Sequence, residues 1–213
     1  MTDMAPNINK HLSQDQQASI RTAVVMAESR TSGEIVPMLV AQSDDYREAA
    51  AQAAAIMAAV LTLAVALVLQ DTSVWFFLPT AFVLYFPLLA VVQRLPLLKL
   101  ALTPDKRVNE IVRLRAIHAF YEQGLHHTRE ENGVLIFISL LERKVWILGD
   151  RGINAVIPTE RWNALVTGLI AGIREGRMAE ALLKTIAETG DILRQHFPSK
   201  ADDTNELPDL LGE

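Results

Sequence analysis

Hydrophobic residues are spread very unevenly along this chain. Two runs, residues 49–69 and 74–92, contain no charged side chain, whereas the segments before and after them mix apolar and polar positions. As a helix the first run would be about 31 Å long, enough to cross the hydrocarbon core of a bilayer. Only residues 70–73 separate the runs. The pattern therefore predicts two antiparallel transmembrane helices joined by a tight turn.

The alternative interpretation of these runs is a helical hairpin buried in a large soluble core. A chain of 213 residues has little other apolar surface with which to cover two helices that are hydrophobic all round. The first run is rich in alanine, and small residues favour close packing between membrane helices. We expect its alanine face to pack against the second helix or against another subunit.

Outside the two runs, the hydrophobic pattern predicts shorter elements, some with the helical period and some with the strand period. Helical spacing with a capping box at Ser13 and Gln16 predicts a helix over residues 13–30. Pro37 predicts that a strand over 34–40 lies at a sheet edge or contains a bulge. The further predictions are a helix over 103–127, an antiparallel strand pair over 134–139 and 145–148, a loop over 149–152, and helices over 158–173 and 178–197.

These elements predict an α/β fold, a small sheet flanked by helices, with an inserted two-helix transmembrane hairpin. The α/β domain would be discontinuous, over residues 13–48 and 103–197. The hairpin and an interfacial segment would occupy 49–102, and residues 198–213 would form a disordered acidic tail. One strand precedes the hairpin and two follow it, so a shared sheet requires an even number of spans.

Charge and composition add orientation and exclude several classes of site. Basic residues follow the second span at Arg94, Lys99, Lys106 and Arg107, whereas residues 70–73 contain none. The positive-inside rule then predicts a multi-pass protein of a bacterial-type inner (plasma) membrane with both termini in the cytoplasm. A net charge of −5 argues against nucleic acid as a partner, and the absence of cysteine excludes thiolate chemistry. We expect no cleavable signal peptide.

Three residues are candidates for chemistry. Glu34 begins the first predicted strand, and Asp150 and Arg151 follow the last one, so strand ends could bring them together. The two carboxylates could bind a divalent metal, Ca²⁺ or Mg²⁺, and Arg151 could bind phosphate or another anion. The alternative is that Asp150 and Arg151 form a turn with a surface ion pair. No nucleophile motif is present, so catalytic residues and any other cofactor stay unknown.

Several segments resemble the TPM domain family. They are the run AESRTSGEIV over residues 27–36, Arg115 and Phe120 on a helix, ENGVLI over 131–136 and ERKVWI over 142–147. The resemblance implies a small sheet flanked by helices and a role in photosystem repair or membrane-complex maintenance. Some members are acid phosphatases or bind divalent metal. Where members carry a Gly-Tyr-Gly-type loop, this chain has Gly149-Asp150-Arg151-Gly152.

The resulting hypothesis is a membrane-anchored, non-catalytic interaction module that assists a membrane protein complex. Its expected partners are the lipid bilayer and a membrane protein or a second copy of the chain. The alternative is a metal-dependent acid phosphatase that acts at the membrane surface.

Overall fold

The computed structural model describes residues 11–71 and 73–199. They form two compact units, which are treated separately below. Residues Asp44–Glu110 form the hairpin unit, and the described residues on either side of it form the α/β unit. These boundaries differ from the predicted limits of the insertion, 49 and 102, by a few residues on each side. Most of the predicted acidic tail, residues 200–213, lies outside the described residues.

The α/β unit contains a three-stranded sheet and helices at both ends of its sequence. The elements are α1 (Gln14–Glu28), β1 (Glu34–Val40), a 3₁₀ turn (Leu125–His127), β2 (Gly133–Ser139), β3 (Lys144–Gly149), α6 (Arg151–Val156), α7 (Thr159–Arg174) and α8 (Met178–His196). The capping box predicted for α1 is present, with Ser13 and Gln16 satisfying each other's backbone N–H groups. The predicted α/β class and its small sheet are confirmed.

The strand order in the sheet is β1-β2-β3. Strand β1 pairs parallel to β2, and β2 pairs antiparallel to β3 as the predicted hairpin. Strand β1 is therefore an edge strand, in agreement with Pro37, whose missing N–H removes a ladder hydrogen bond. The side chains of Ile35, Ile136 and Ile147 form one core with the apolar faces of α1, α7 and α8.

Two predicted elements were wrong in their extent. The helix expected over 103–127 is α5 (Asp105–Glu122), and Gly124 with a φ of 72° separates it from the 3₁₀ turn. Glycine adopts this left-handed conformation without steric cost, so the helix ends there. The loop expected over 149–152 is instead the last residue of β3, the cap residue Asp150 and the first two residues of α6. The Asp150 side chain accepts a hydrogen bond from the backbone N–H of Arg151 and caps this helix.

The hairpin unit contains α2 (Arg47–Leu69), α3 (Val74–Gln93), the short α4 (Pro96–Ala101) and the first residues of α5. Helix α2 packs on α3, and its buried residues are alanines with a single threonine: Ala50, Ala53, Ala54, Ala58, Thr62 and Ala66. The prediction that the alanine face packs against the second helix is confirmed. Both α2 and α3 are long and apolar enough to cross a membrane, and no residue in the most apolar stretch of α3 is buried.

Candidate functional site

The candidate residues lie at one end of the sheet, where β1 and β2 begin and β3 ends. Glu34 is paired with Gly133 across the parallel ladder. On the other side of the same strand, the backbone N–H of Asp150 donates to the Gly133 carbonyl at 2.9 Å. The fold thus brings Glu34 and Asp150 to the same end of the sheet, with β2 between them. Two inter-strand spacings put their backbones about 10 Å apart.

Asp150 acts first as a helix cap. Its Oδ1 accepts from the N–H of Arg151 at 2.7 Å. Its Oδ2 is buried and has no hydrogen-bond partner within the described residues. A buried carboxylate oxygen without a donor is costly, and this one has unused acceptor capacity.

The Arg151 side chain pairs with a third carboxylate, that of Glu131. Its Nε forms a 3.0 Å ion pair with Oε2 of Glu131, and its side chain is 85% exposed. Exposed pairs of this kind contribute little to stability. Arg151 therefore forms a surface ion pair with Glu131, while Asp150 and Arg151 begin helix α6 instead of forming the turn of the alternative interpretation.

The two carboxylates do not fit a metal site by themselves. Glu34 is buried and already engaged, and one oxygen of Asp150 caps α6. Within residues 11–71 and 73–199, no group of three or more His, Asp or Glu side chains could hold a metal ion. Ca²⁺ takes six to eight oxygen ligands, more than the two carboxylates supply by themselves. Metal binding by Glu34 and Asp150, and anion binding by Arg151, stay predictions.

Sequence reasoning missed the polar network that joins β1 to the loop before β2. Asn132 donates from Nδ2 to the Ser32 carbonyl at 2.5 Å, and the Ser32 hydroxyl donates to Oε2 of Glu130 at 3.1 Å. The N–H of Asn132 in turn donates to Oγ1 of Thr128 at 3.0 Å. The only local signal was the Asn-Gly pair, which predicted a turn and gave no indication of a partner 100 residues away.

The packing of α6 against the loop before β2 requires glycine at position 152. A Cβ atom on Gly152 would lie 2.7 Å from the carbonyl oxygen of Glu130 and 2.8 Å from that of Glu131. Real Cβ atoms do not approach backbone oxygens so closely, so any other residue would push α6 away from the loop. Gly152 therefore allows α6 to pack closely against the loop before β2.

A second polar cluster lies at the opposite end of the sheet, and sequence reasoning also missed it. Glu142 is buried, and its Oε1 accepts from the N–H of Ser43 at 3.0 Å. Its Oε2 accepts a short hydrogen bond from the hydroxyl of Ser139, and the hydroxyls of Ser43 and Ser139 are 2.8 Å apart. The cluster ties the chain after β1 to the turn between β2 and β3.

The four residues predicted to flank the membrane occupy different surroundings in the hairpin unit. Arg94 and Lys106 are exposed, and Arg107 forms an ion pair with Glu48. Lys99 is only 7% exposed, and its Nζ donates to the Asp45 carbonyl at 2.7 Å. Its ammonium group is therefore satisfied inside the unit.

The comparisons with known proteins agree with this fold. Residues 102–192 match the family model described as the TPM domain. No curated protein matches the chain. Among solved structures, the NMR structure of BA42 protein from the psychrophilic bacterium Bizionia argentinensis is similar, with a TM-score of 0.60 and 22% identity, covering 97% of this chain and 99% of that chain. At this identity the likeness shows the fold alone. Residues 102–192 are thus similar to the TPM domain, and the described α/β fold is similar to that of the BA42 protein.

Proposed function

We propose that the chain is a membrane-anchored accessory module, in which the α2–α3 hairpin inserts into a bacterial-type inner membrane and the TPM domain binds a membrane protein complex. The observation that carries the proposal is the uncovered apolar surface of α3. Trp75 is 90% exposed and Val83 is 67% exposed.

Water is a poor solvent for this surface. Each Å² of exposed apolar area costs about 25 cal/mol relative to an apolar environment. Helix α2 covers one side of α3 with its alanine face, and within the described residues the remaining apolar side chains of α3 are left uncovered. A helix that is apolar all round belongs in a core or a bilayer, and lipid supplies the missing contacts here.

The first test is insertion. Membranes that contain the full chain are washed with alkaline carbonate, which releases peripheral proteins. We expect the chain to stay in the membrane pellet. Its complete release into the supernatant would contradict the proposal.

The second test is orientation. Exposed Arg94 and Lys106 follow α3, whereas the turn between the spans has no basic residue, so the positive-inside rule puts both termini in the cytoplasm. A reporter that works only in the cytoplasm should be active when it is fused after Glu213. Activity of a reporter that works only in the periplasm would contradict this orientation.

The absence of catalysis is also part of the proposal. It is supported by the lack of a nucleophile motif and by the engagement of Glu34 and Arg151 with other groups. The buried Oδ2 of Asp150 is the one observation that favours the phosphatase alternative. Purified chain is therefore assayed against p-nitrophenyl phosphate with Mg²⁺ or Ca²⁺. Hydrolysis that Asp150→Asn abolishes and the exposed control Asp191→Asn preserves would replace the accessory role with catalysis.

The partner is identified by crosslinking in native membranes. We expect a membrane protein, or a second copy of the chain, to be recovered with the full chain. Recovery of lipids and soluble proteins alone would contradict a role in a membrane complex.

A further inference from the structure

A cavity of about 440 Å³ lies in the α/β unit, away from the end of the sheet where Glu34 and Asp150 lie. It is lined by the turn between β2 and β3, the end of α7, the start of α8 and the residue His11 before α1. This volume is within the range of small-molecule sites in proteins. The proposed accessory function does not use this cavity.

The cavity combines apolar walls with positive charge. Leu140, Ile170 and Met178 provide the apolar side chains, and Arg143 and Arg174 provide two guanidinium groups. None of its lining residues in the part of the chain the structure describes is Asp or Glu.

The side chains of both arginines are exposed. In the described ranges, no ion pair or side-chain hydrogen bond involves Arg143 or Arg174. The carboxylates next to them in sequence are engaged elsewhere. Glu142 accepts from Ser43 and Ser139, and Glu175 pairs with Arg177.

Two exposed guanidinium groups, without an ion pair inside the described ranges, lie beside an apolar wall and define the chemistry of a ligand. A guanidinium group binds carboxylate or phosphate through paired N–H donors, and the apolar wall favours a hydrocarbon chain. We propose that this cavity binds an amphiphilic oxyanion, a phosphate or carboxylate group carried on a short alkyl chain. The proposal does not depend on membrane insertion.

The test uses the full chain in phosphatidylcholine nanodiscs, titrated calorimetrically with hexyl phosphate, hexanoate, inorganic phosphate and hexanol. Hexyl phosphate should bind saturably. Inorganic phosphate lacks the alkyl chain and hexanol lacks the anionic group, so each should bind at least about tenfold more weakly. Saturable binding of inorganic phosphate as tight as that of hexyl phosphate would overturn the amphiphilic site, and so would the absence of saturable binding by hexyl phosphate and hexanoate.

Variants locate the site. Arg143→Gln and Arg174→Gln should each weaken hexyl phosphate binding by about tenfold or more, since each removes a charged donor pair. Arg143 has a φ of 53°, and glutamine bears the same backbone strain as arginine, so the turn should keep its conformation. The matched control is Arg161→Gln, an exposed arginine at the opposite end of α7. Binding that is unchanged in the first two variants, or equally weakened in the control, would overturn the proposal.

The source of the ligand is distinguished by a second nanodisc composition. If a lipid phosphate fills the cavity, phosphatidic acid in the disc should weaken hexyl phosphate binding by competition. If the ligand is a free amphiphile, the affinity should not change. Both results support the site, and the Arg143→Gln variant should remove any competition by phosphatidic acid.

Discussion

At the scale of single residues, carboxylates link the strand ends to neighbouring segments. Asp150 caps α6 at one end of the sheet, and Glu142 accepts from Ser43 and Ser139 at the other. Glu142 is buried and accepts hydrogen bonds at both of its oxygens, which is the condition for burying a carboxylate at low cost.

Removing the Glu142 carboxylate should destabilise the α/β unit. Glu142→Ala leaves the N–H of Ser43 and the hydroxyl of Ser139 without their acceptor, and we expect a loss of about 1–3 kcal/mol in the free energy of unfolding. The measurement is urea unfolding followed by far-ultraviolet circular dichroism. Glu188→Ala is the control, because Glu188 forms an exposed pair with Lys184. Equal stability of the two variants would contradict the role of Glu142.

The Arg115 guanidinium beside Glu122 holds the pKa of that carboxyl below its ordinary value, through a 2.8 Å hydrogen bond. The ionised form is thus favoured in the folded state. The contribution of this pair to stability is present above the ordinary glutamate pKa and is lost as the pH falls through the lowered pKa.

Arg115→Gln should therefore raise the pKa of Glu122 towards its ordinary value. The measurement is a carboxyl-carbon NMR titration of the folded chain. Arg113→Gln on the same helix is the control and should leave the Glu122 titration in place. A Glu122 titration that both variants leave unchanged would show that Arg115 is not the cause.

At the scale of elements, the contact between α7 and α8 depends on where glycines lie along α7. A Cβ atom on Gly172 would meet the Cβ of Ala181 at 2.3 Å, whereas a Cβ on Gly168, one turn earlier, would meet nothing within 4 Å. The two positions share a helix and differ only in what faces them.

Alanine should act in opposite directions at these two positions. Gly172→Ala forces α7 and α8 apart, and overpacking of this kind costs about 1–3 kcal/mol. Gly168→Ala should raise stability by up to about 1 kcal/mol because alanine is the better helix former. Thermal unfolding of both variants measures the difference. A stabilising Gly172→Ala would contradict the close packing of the two helices.

At the scale of the whole molecule, the same residue change should have different consequences in the two units. Val83→Asp puts a charge at the centre of α3, where insertion scales assign aspartate a cost of about 2.5–3.5 kcal/mol. We expect less protein in the membrane pellet after carbonate extraction. Val25→Asp on α1 is the control, since Val25 is 50% exposed in the α/β unit and should tolerate the charge. Equal membrane retention of both variants would contradict insertion through α3.

Local pattern alone determined much of the architecture. The absence of charge predicted α2 and α3 to within two residues at each end, and the capping box, the edge strand and the β2–β3 hairpin followed from neighbouring residues. These features depend on interactions within a few residues, which the order of side chains specifies directly. Of the segments that resemble TPM domains, those after residue 102 lie inside the family match, and residues 27–36 lie outside it.

Tertiary structure decided the partners of the candidate side chains. Arg151 pairs with Glu131, and Ser32 accepts a hydrogen bond from Asn132, because chain segments far apart in sequence meet at one end of the sheet. Helix α6 has only six residues, too few to be stable from local propensity, so it depends on the Asp150 cap and the close approach of Gly152 to the loop. The cavity between Arg143 and Arg174 likewise exists only once the sheet and α7 have packed together, because charge and shape from separate elements combine only in the folded chain.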